Sequence, residues 1–505
     1  MQSDIFHDSL KKWQTSYKLL TYAVGAFCDA SDDLLQTVPQ SYTSYVEKVW
    51  LEEALSQLRN DAKKLTSMGE DITNCQAVIH RATNTSTALV PISGLPLEIV
   101  SQIFALAAMP LACADRFRKS LQWHPLVTIP SVCTRWRELA ISTRSLWSHI
   151  YMDEDFISNA SNVGFRQWLE LWLDRSDGAP LSLRFEKEDS WRVDVDQIAS
   201  FLQPHISNVT SLMFYKSSNR LVHAILTLYG IHVPTTPLTT LSVTDTIQTT
   251  AGVAPRLIWP IDTLRGLNTL ALCGLPASLD PSFDDLVQIL LNNPYLHTLR
   301  IQRRGYVPFR NDSRPKISLH CLGIIELNFE FQPALERLLS MLDPGQNELD
   351  VMLTLPVINS PGCVQEILAF FERTNVTRLH FKNICPEYVA QLPAYLDSLP
   401  HLRVLCLSCT RNSNCTSLGA LMMNNGDEPC ARRSNLRSLS LSDMIIDLNA
   451  QSQLKQIVGV HHLDRLILGR GTVFRAGPGG TSNSKAFLKW LRRRVATVIC
   501  EEMVN

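Results

Sequence analysis

Cys406 and Cys409 form a Cys-x-x-Cys pair, with Cys415 and Cys430 downstream. Four thiolates can hold zinc in a tetrahedral site. The spacing here argues against it: Cys406 lies inside Leu405-Cys-Leu407, pointing away from both leucines, Cys430 is distant, and no second close pair completes the set. Semi-buried thiols are the expected reading, with no metal and no cofactor. His461-His462 stands beside a strand start with no ligand set nearby and reads as surface. Gly469–Gly480 carries five glycines around Arg470, Arg475 and Pro478. It lacks Gly-Lys-Ser/Thr and opens no dinucleotide-binding unit, so it reads as a flexible loop rather than a phosphate cradle. Gly-x-Ser-x-Gly and His-Glu-x-x-His are absent from the sequence. With no catalytic constellation, an enzyme is not expected, and recognition is the chemistry left to explain.

The elements that would carry recognition follow from composition and periodicity. The 505 residues exceed one ordinary core, and 45% hydrophobic against 19% charged residues argues for folded structure throughout. The 47 basic and 48 acidic residues leave a net charge of −1, so no bias toward nucleic acid or an anionic membrane exists. Thirteen scattered cysteines, an odd number, read as free thiols in a reducing compartment. The start of the chain lacks a basic segment before an apolar stretch, and Leu19–Phe27 is too short to span a bilayer. A soluble protein of the cytoplasm and/or nucleus is expected.

Phe6, Leu10, Trp13, Tyr17, Leu20, Val24 and Phe27 recur at alternating steps of four and three, which predicts an amphipathic helix within residues 1–40. Asp29–Gln40 reads as a polar connection. A second helix within 41–90 places Leu51, Leu55, Leu58, Ala62 and Leu65 on one stripe. It fits a short coiled coil or an amphipathic helix packed on its own chain, and Gly69 in the seam favours the latter. These two helices are the candidates for self-association. A polar stretch, Thr83–Thr87, then leads to Pro91.

Residues 91–150 predict a compact helical unit. Pro96 suits a first helical turn. Ile99, Ile103 and Leu106 follow at helical spacing with Phe104 beside them, and Pro110 stops the helix. Pro130 opens a second helix whose buried face is Val132, Trp136, Leu139 and Ala140, with Leu146 and Trp147 as closing anchors.

From residue 180 to 480 a six-residue pattern repeats, apolar-x-x-Leu-x-apolar. It occurs at Val209/Leu212/Phe214, Leu238/Leu241/Val243, Leu267/Leu270/Leu272, Leu296/Leu299/Ile301, Ile324/Leu327/Phe329, Val376/Leu379/Phe381, Leu402/Leu405/Leu407, Leu436/Leu439/Leu441 and Leu463/Leu466/Leu468. The first four start 29 residues apart, and a weaker unit at Leu349-Asp-Val351 bisects the one long gap. Leu181-Ser-Leu183 begins the series. Leu-x-Leu points two side chains to one side of a strand. Intervening stretches such as Phe283–Leu291 and Val364–Phe371 are helical in period. One strand plus one helix cannot bury its own apolar face, but a stack can, which predicts an α/β leucine-rich-repeat solenoid. The asparagine usual three residues after the second strand leucine is missing from all nine units. Residues 481–505 read as a capping helix, with Phe487, Trp490, Leu491 and Val498 inward and Arg492–Arg494 exposed.

Strand side chains that do not face the core would line the concave side of such a solenoid. Arg300, Gln302, Glu326, Asn328, Arg378, His380 and Lys382 are therefore candidate target contacts. Arg300, Gln302, Arg303 and Arg304 read as a small basic patch.

Residues 94–150 resemble the F-box, whose motif runs Leu-Pro-x-Glu-Ile, Ile-Phe, Val-Cys-x-x-Trp-Arg and a late Leu-Trp. The matching positions are Leu95, Pro96, Glu98, Ile99, Ile103, Phe104, Val132, Cys133, Trp136, Arg137, Leu139, Ala140, Leu146 and Trp147. The order of elements looks most like the F-box-like proteins of mushroom-forming fungi, with a heptad helix ahead and irregular leucine-rich repeats behind. The resemblance is specific over residues 94–150 and architectural from about residue 44 to the end. Met109–Ile129 is longer than the corresponding stretch of the compact family form.

The resemblance implies docking on the S-phase-kinase-associated adaptor of a cullin–RING ubiquitin ligase, with the repeats holding an unknown target protein. Leu95, Pro96, Ile99, Ile103 and Phe104 would present the apolar docking face, with Glu98 and Val132 in the same adaptor-binding set, while Trp136 and Leu139 brace the second helix. Such a receptor performs no bond chemistry; it raises the effective concentration of target lysines near the ubiquitin thioester. The alternative is a leucine-rich-repeat binding scaffold without ligase association.

Overall fold

The computed structural model of the chain describes residues 2–37, 45–85, 91–108, 125–152, 163–186, 195–232, 236–246, 256–303, 315–354, 361–384, 386–409, 436–474 and 484–501. Two compact units divide it, Met1–Leu95 and Pro96–Asn505. Helices precede a parallel sheet, so the chain is mixed α/β. No helix among the described residues is long and apolar enough to cross a membrane.

The first unit holds helix α1 (Gln2–Thr37) and helix α2 (Tyr45–Thr85). The expected polar connection at Asp29 is helical as far as Thr37. The helix accommodates the polar residues there: Ser31 donates back to the Phe27 carbonyl at 2.7 Å and Thr37 to that of Asp33 at 2.9 Å. In the same way α2 takes in Thr83 and runs unbroken through Gly69, which has open space around it. On α2 only Leu51 of the predicted stripe is buried; Leu55, Leu58 and Leu65 are exposed.

The second unit opens with α3 (Leu97–Ala108), α4 (Pro125–Val132), α5 (Thr134–Ser142) and a 3-10 turn, Arg144–Trp147. Pro96 sits just before α3 rather than inside it, and its carbonyl accepts from the amides of Ile99 and Val100, each at 3.1 Å. Pro110 lies outside the described residues. Pro130 does not open the second helix; it stands inside α4, and the chain starts afresh at Cys133, whose Sγ caps α5 by accepting from the Trp136 amide at 3.5 Å. The C-terminal part of the long Met109–Ile129 stretch is thus helical, with Leu126 and Ile129 buried; residues 109–124 lie outside the described residues.

Among the described residues, thirteen strands form one parallel sheet, their order in the sheet following their order in the sequence. They are β1 (His149–Met152), β2 (Leu181–Glu186), β3 (Val209–Tyr215), β4 (Thr240–Thr244), β5 (Thr269–Cys273), β6 (Thr298–Arg303), β7 (Ile324–Phe329), β8 (Glu348–Thr354), β9 (Asn375–Ile384), β10 (Val404–Cys409), β11 (Ser438–Ser442), β12 (Arg465–Leu468) and β13 (Thr497–Cys500). Parallel neighbours require crossovers, and helices such as Asn219–Ile231 and Phe283–Leu291 supply them while burying their apolar sides.

The alternation of the strands builds two continuous apolar rows. One runs from Ile150 through Leu183, Leu212 and Leu241 to Val498, the other from Met152 through Phe185, Phe214 and Val243 to Cys500. Stacked Phe185 and Phe214, with centroids 5.0 Å apart, show how tightly neighbours register. Each buried aliphatic or aromatic side chain contributes about 1.5–3 kcal/mol, so the rows dominate the stability of this unit.

Three expectations for the repeats change. The unit written from Ile324 starts at Leu322: Leu299 pairs with Ile325 and Ile301 with Leu327, and Leu322 is fully buried. Adjacent Ile324 and Ile325 allow either frame, and only the neighbouring row decides between them. The series starts one strand earlier, at β1, directly after the 3-10 turn. It also ends one strand later: the last helix stops at Arg494, and Val498 belongs to β13 instead of a helical cap. At the place of the missing asparagine, Ser217 donates its Oγ to the Phe185 carbonyl at 3.2 Å, whereas Ile384 and Met444 fill it with apolar side chains. Lys216, Asp245, Gly274, Asn383 and Asp443 all have positive φ, a turn repeated beside the sheet. At Gly274 a Cβ would meet Asp245 Oδ1 at 2.9 Å, so the turn also needs the space.

Candidate functional site

On α3 the helical period separates two faces. Val100, Phe104 and Ala108, four apart, point into the fold and are buried. Ile99, Ile103 and Leu106 point the other way, with relative exposures of 42%, 38% and 71%. Pro96, Leu97 and Glu98 at the start of the helix are exposed, and so is Leu95, the last residue of the first unit. An acidic residue in the first turn also suits the positive end of the helix dipole. Several large aliphatic side chains along one helix thus face solvent on a framework that has a fully formed core beneath them.

That core takes up Phe104, which was expected on the docking face. Its exposure is 1%, and its ring meets Trp136 of α5 edge to face. The step from Ile103 to Phe104 turns the side chain about 100° around the helix, enough to exchange solvent for core. Val132 also departs from expectation: it ends α4 and is 55% exposed rather than buried. Trp136 and Leu139 are half-buried and Ala140 fully buried, as a bracing helix requires. Trp147 Nε1 donates to the Ala140 carbonyl at 2.7 Å, its ring stands edge-on to Trp172, and the Arg175 guanidinium lies 4.3 Å above it. The late Leu-Trp of the motif therefore ties α5 to the helix Val163–Ser176 and to the first strand.

A second surface lies on the face of the sheet opposite the two apolar rows. Arg300 and Gln302 on β6 pair in register with Glu326 and Asn328 on β7. Met352 of β8 separates Glu326 from His380 of β9. Glu326 joins this surface together, with Arg300 Nε at 3.6 Å and Lys382 Nζ at 3.1 Å, two strands away. Arg378 stands beside Asp350 in register. Burial pushes the Asp350 carboxyl up, against the pull of Arg378 and Arg300. Burial pushes the His380 imidazole down, helped by Lys382 and opposed by Glu326. The seven candidate contacts thus share one face of neighbouring strands, with charges of both signs already partly matched. Asp350 and Met352 belong to the same surface, although the sequence of β8, with its single Leu349-Asp-Val351, marks that strand only weakly.

The basic patch is smaller than expected. Arg303 turns to the opposite face and is buried, its Nη2 2.7 Å from Asp280 Oδ2 and 2.6 Å from the Pro281 carbonyl. Arg304 lies outside the described residues. The cysteine pair does not converge: Cys406 is half-buried on the polar face while Cys409 is buried, and Cys415 and Cys430 lie outside the described residues. Among the described residues no group of His, Cys, Asp and Glu could hold a metal ion. His461 is buried rather than on the surface; its neighbour His462 is exposed and closes the helix Leu448–His461 in a left-handed conformation. Gly471 lies next to strand β12, and Arg475 and Pro478 fall outside the described residues.

No curated protein matches the chain. The F-box-like family profile matches residues 92–153, the span that contains α3, α4, α5 and the Leu146-Trp147 anchor. An F-box-like domain is therefore present in this chain. Domains of that family generally serve as non-catalytic adaptors and typically bind the S-phase-kinase-associated adaptor in cullin–RING ligase complexes.

Proposed function

We propose that the chain is a substrate receptor of a cullin–RING ubiquitin ligase, docking on the S-phase-kinase-associated adaptor through α3 and holding a target protein on the polar face of its sheet. The observation that carries this reading is the F-box-like match over residues 92–153 falling on a helix whose aliphatic side chains Ile99, Ile103 and Leu106 are solvent-exposed above a complete core. Exposed aliphatic anchors on one helix suit helix-in-groove recognition, where a few buried side chains carry most of the affinity. In this reading Leu95, Pro96, Glu98, Ile99 and Ile103 touch the adaptor, while Phe104, Trp136 and Leu139 hold α3 and α5 in place for it.

The strands from residue 149 onward, with their leucine rows and crossover helices, support the reading as irregular leucine-rich repeats stacked into a solenoid. Its concave face would present Arg300, Gln302, Glu326, Asn328, Arg378, His380 and Lys382 to the target. The architecture is that of the F-box-like proteins of mushroom-forming fungi, working in the cytoplasm or nucleus.

The test is co-purification of the full chain with the adaptor, beside an Ile99→Glu, Ile103→Glu variant. Both side chains are exposed, so the variant keeps its fold. Capture of the parent and loss in the variant supports the receptor. A folded parent that fails to bind leaves a repeat scaffold without ligase association.

A further inference from the structure

The stretch from Leu448 to Cys500 carries nine basic residues and one acidic residue, Asp464, in a chain whose net charge is −1. On the last helix, Ser484–Arg494, the exposed Lys489, Arg492 and Arg493 share one face within about 6 Å along the axis. Lys455 of the helix Leu448–His461 lies 5.9 Å over the Phe487 ring and 5.7 Å over the Trp490 ring, and the Arg494 guanidinium stands 5.9 Å from the Trp490 ring. Five cations thus gather on these two helices, and none of the five is in an ion pair among the described residues.

The helix dipole accounts for only part of this. A helix C-terminus carries about half a negative charge, against three arginines in the last turn. The nearby acids are placed elsewhere. Asp447 accepts from the Ala450 amide at 2.7 Å as the cap of the preceding helix, Asp464 is exposed beside Arg465 at the start of β12, and Glu501 follows the far end of β13. Repulsion within such a cluster opposes folding, and an anionic partner relieves it.

Strand β13 selects the kind of anion. It is the last strand of the sheet and pairs with β12 on one side. The amides of Thr497 and Glu501 donate inward, to the Asp464 and Leu468 carbonyls at 3.0 Å and 2.9 Å. Alternate residues of a parallel strand turn their backbone groups to opposite edges. Those of Val498 and Cys500 therefore point outward, where no further strand pairs with them among the described residues. Val498, Ile499 and Cys500 are half-buried, whereas Leu466 and Leu468 on β12 are fully buried. An open strand edge pairs with an extended polypeptide backbone; a lipid or a nucleic acid offers no such ladder. Phe487, Leu491 and Val495 are buried in the protein, so the last helix has no apolar side left for a bilayer. Trp490 is flanked by Lys455 and Arg494 rather than open to a base. Arg494 is three residues ahead of Thr497, so the cations begin within about 10 Å of the start of the open edge.

We propose that an acidic, extended polypeptide segment adds to the free edge of β13, with its carboxylates beside Lys489, Arg492 and Arg493. The proposal does not depend on the ligase reading.

Fluorescence anisotropy on the full chain tests it with a labelled peptide of three glutamates joined to Val-Thr-Val-Thr, made in both chain directions. One direction is expected to bind, and glutamine in place of glutamate to weaken it at least about tenfold. A Lys489→Glu, Arg492→Glu, Arg493→Glu variant, changed only at exposed positions, loses binding to the same extent. Peptides N-methylated on the valines alone or on the threonines alone separate strand addition from charge attraction. One set of amides faces β13, so one methylated peptide loses binding and the other keeps it. Cys500→Pro removes an outward amide, spares the bonds to β12 and weakens the unmethylated peptide. A parent that binds neither direction overturns the proposal, as do two methylated peptides that bind alike. A short DNA duplex or a phosphatidylserine vesicle that binds this face more tightly than the peptide overturns it too.

Discussion

Phe104 of α3 and Trp136 of α5 meet edge to face, with ring centroids 5.0 Å apart and planes inclined at 62°. This pair joins the two longer helices of the F-box-like domain and leaves Ile99 and Ile103 on the far side of α3. Neighbouring residues of one motif thus divide between holding the domain and offering a surface.

That division is measurable. Phe104→Ala is expected to cost about 3–5 kcal/mol, because it opens a cavity under the helix pair. Ile99→Ala with Ile103→Ala is expected to cost clearly less than that, since both side chains are partly exposed, at 42% and 38%, and their loss encloses no cavity. Denaturant midpoints read the first effect. Adaptor capture reads the second, and its loss with a much smaller shift in midpoint than Phe104→Ala separates docking from packing.

Trp147 holds its place through one polar atom as well as through its ring. Trp147→Phe removes the donor to the Ala140 carbonyl and the wider ring under Arg175. Leaving a buried carbonyl unpaired costs about 1–3 kcal/mol. A guanidinium titration of this variant is expected to show a lower midpoint with unchanged slope.

Arg303 and Asp280 form the most deeply buried ion pair described here. Arg303→Met leaves the carboxylate buried without its cation and is expected to cost about 3–5 kcal/mol, most of which Asp280→Asn added to it recovers. The pH dependence has a definite sign. Burial already pushes Asp280 up and Arg303 opposes it. Without the arginine the folded chain holds its proton more strongly than the unfolded chain does. The loss is therefore smallest at acid pH and grows as pH rises through the raised value. Thermal melts of the variant at pH 4 and pH 7 check this.

His380 and His205 are both pushed down by burial. The unfolded chain takes up protons first as pH falls below the usual histidine value of about 6.5, so stability is full above it and declines toward the folded-state values. The melting temperature is expected to fall from pH 7.5 to pH 5.5, and His380→Gln with His205→Gln to flatten the fall. The neighbours of His380 give a finer test. Glu326→Gln should lower its value further and Lys382→Gln should raise it, as read by NMR titration of the ring.

The periodic parts of the fold were legible in advance. Four-three spacing marked α1 and α2, and Leu-x-Leu marked nearly every strand from β2 to β12, because apolar residues repeated at a fixed period report the geometry of the backbone that carries them. β1 and β13 carry no such mark: short strands with mixed apolar content, such as Thr497–Cys500, are defined by the strand they pair with. For the candidate site the residue types were legible but their directions were only half so. Arg300 and Arg303 look alike in sequence, yet three residues along a strand is an odd number, and they end on opposite faces.

Composition, period and motif order were enough to establish a helical start, an F-box-like segment and an array of strands, since each of these depends on local spacing. Which member of a neighbouring pair faces water, Ile103 or Phe104, Ile324 or Ile325, depended on contacts between distant segments. The Trp136 ring settles the first and the Leu299 row settles the second. A one-residue choice costs little locally but moves a whole side chain between solvent and core, so the packing of the assembled chain makes it.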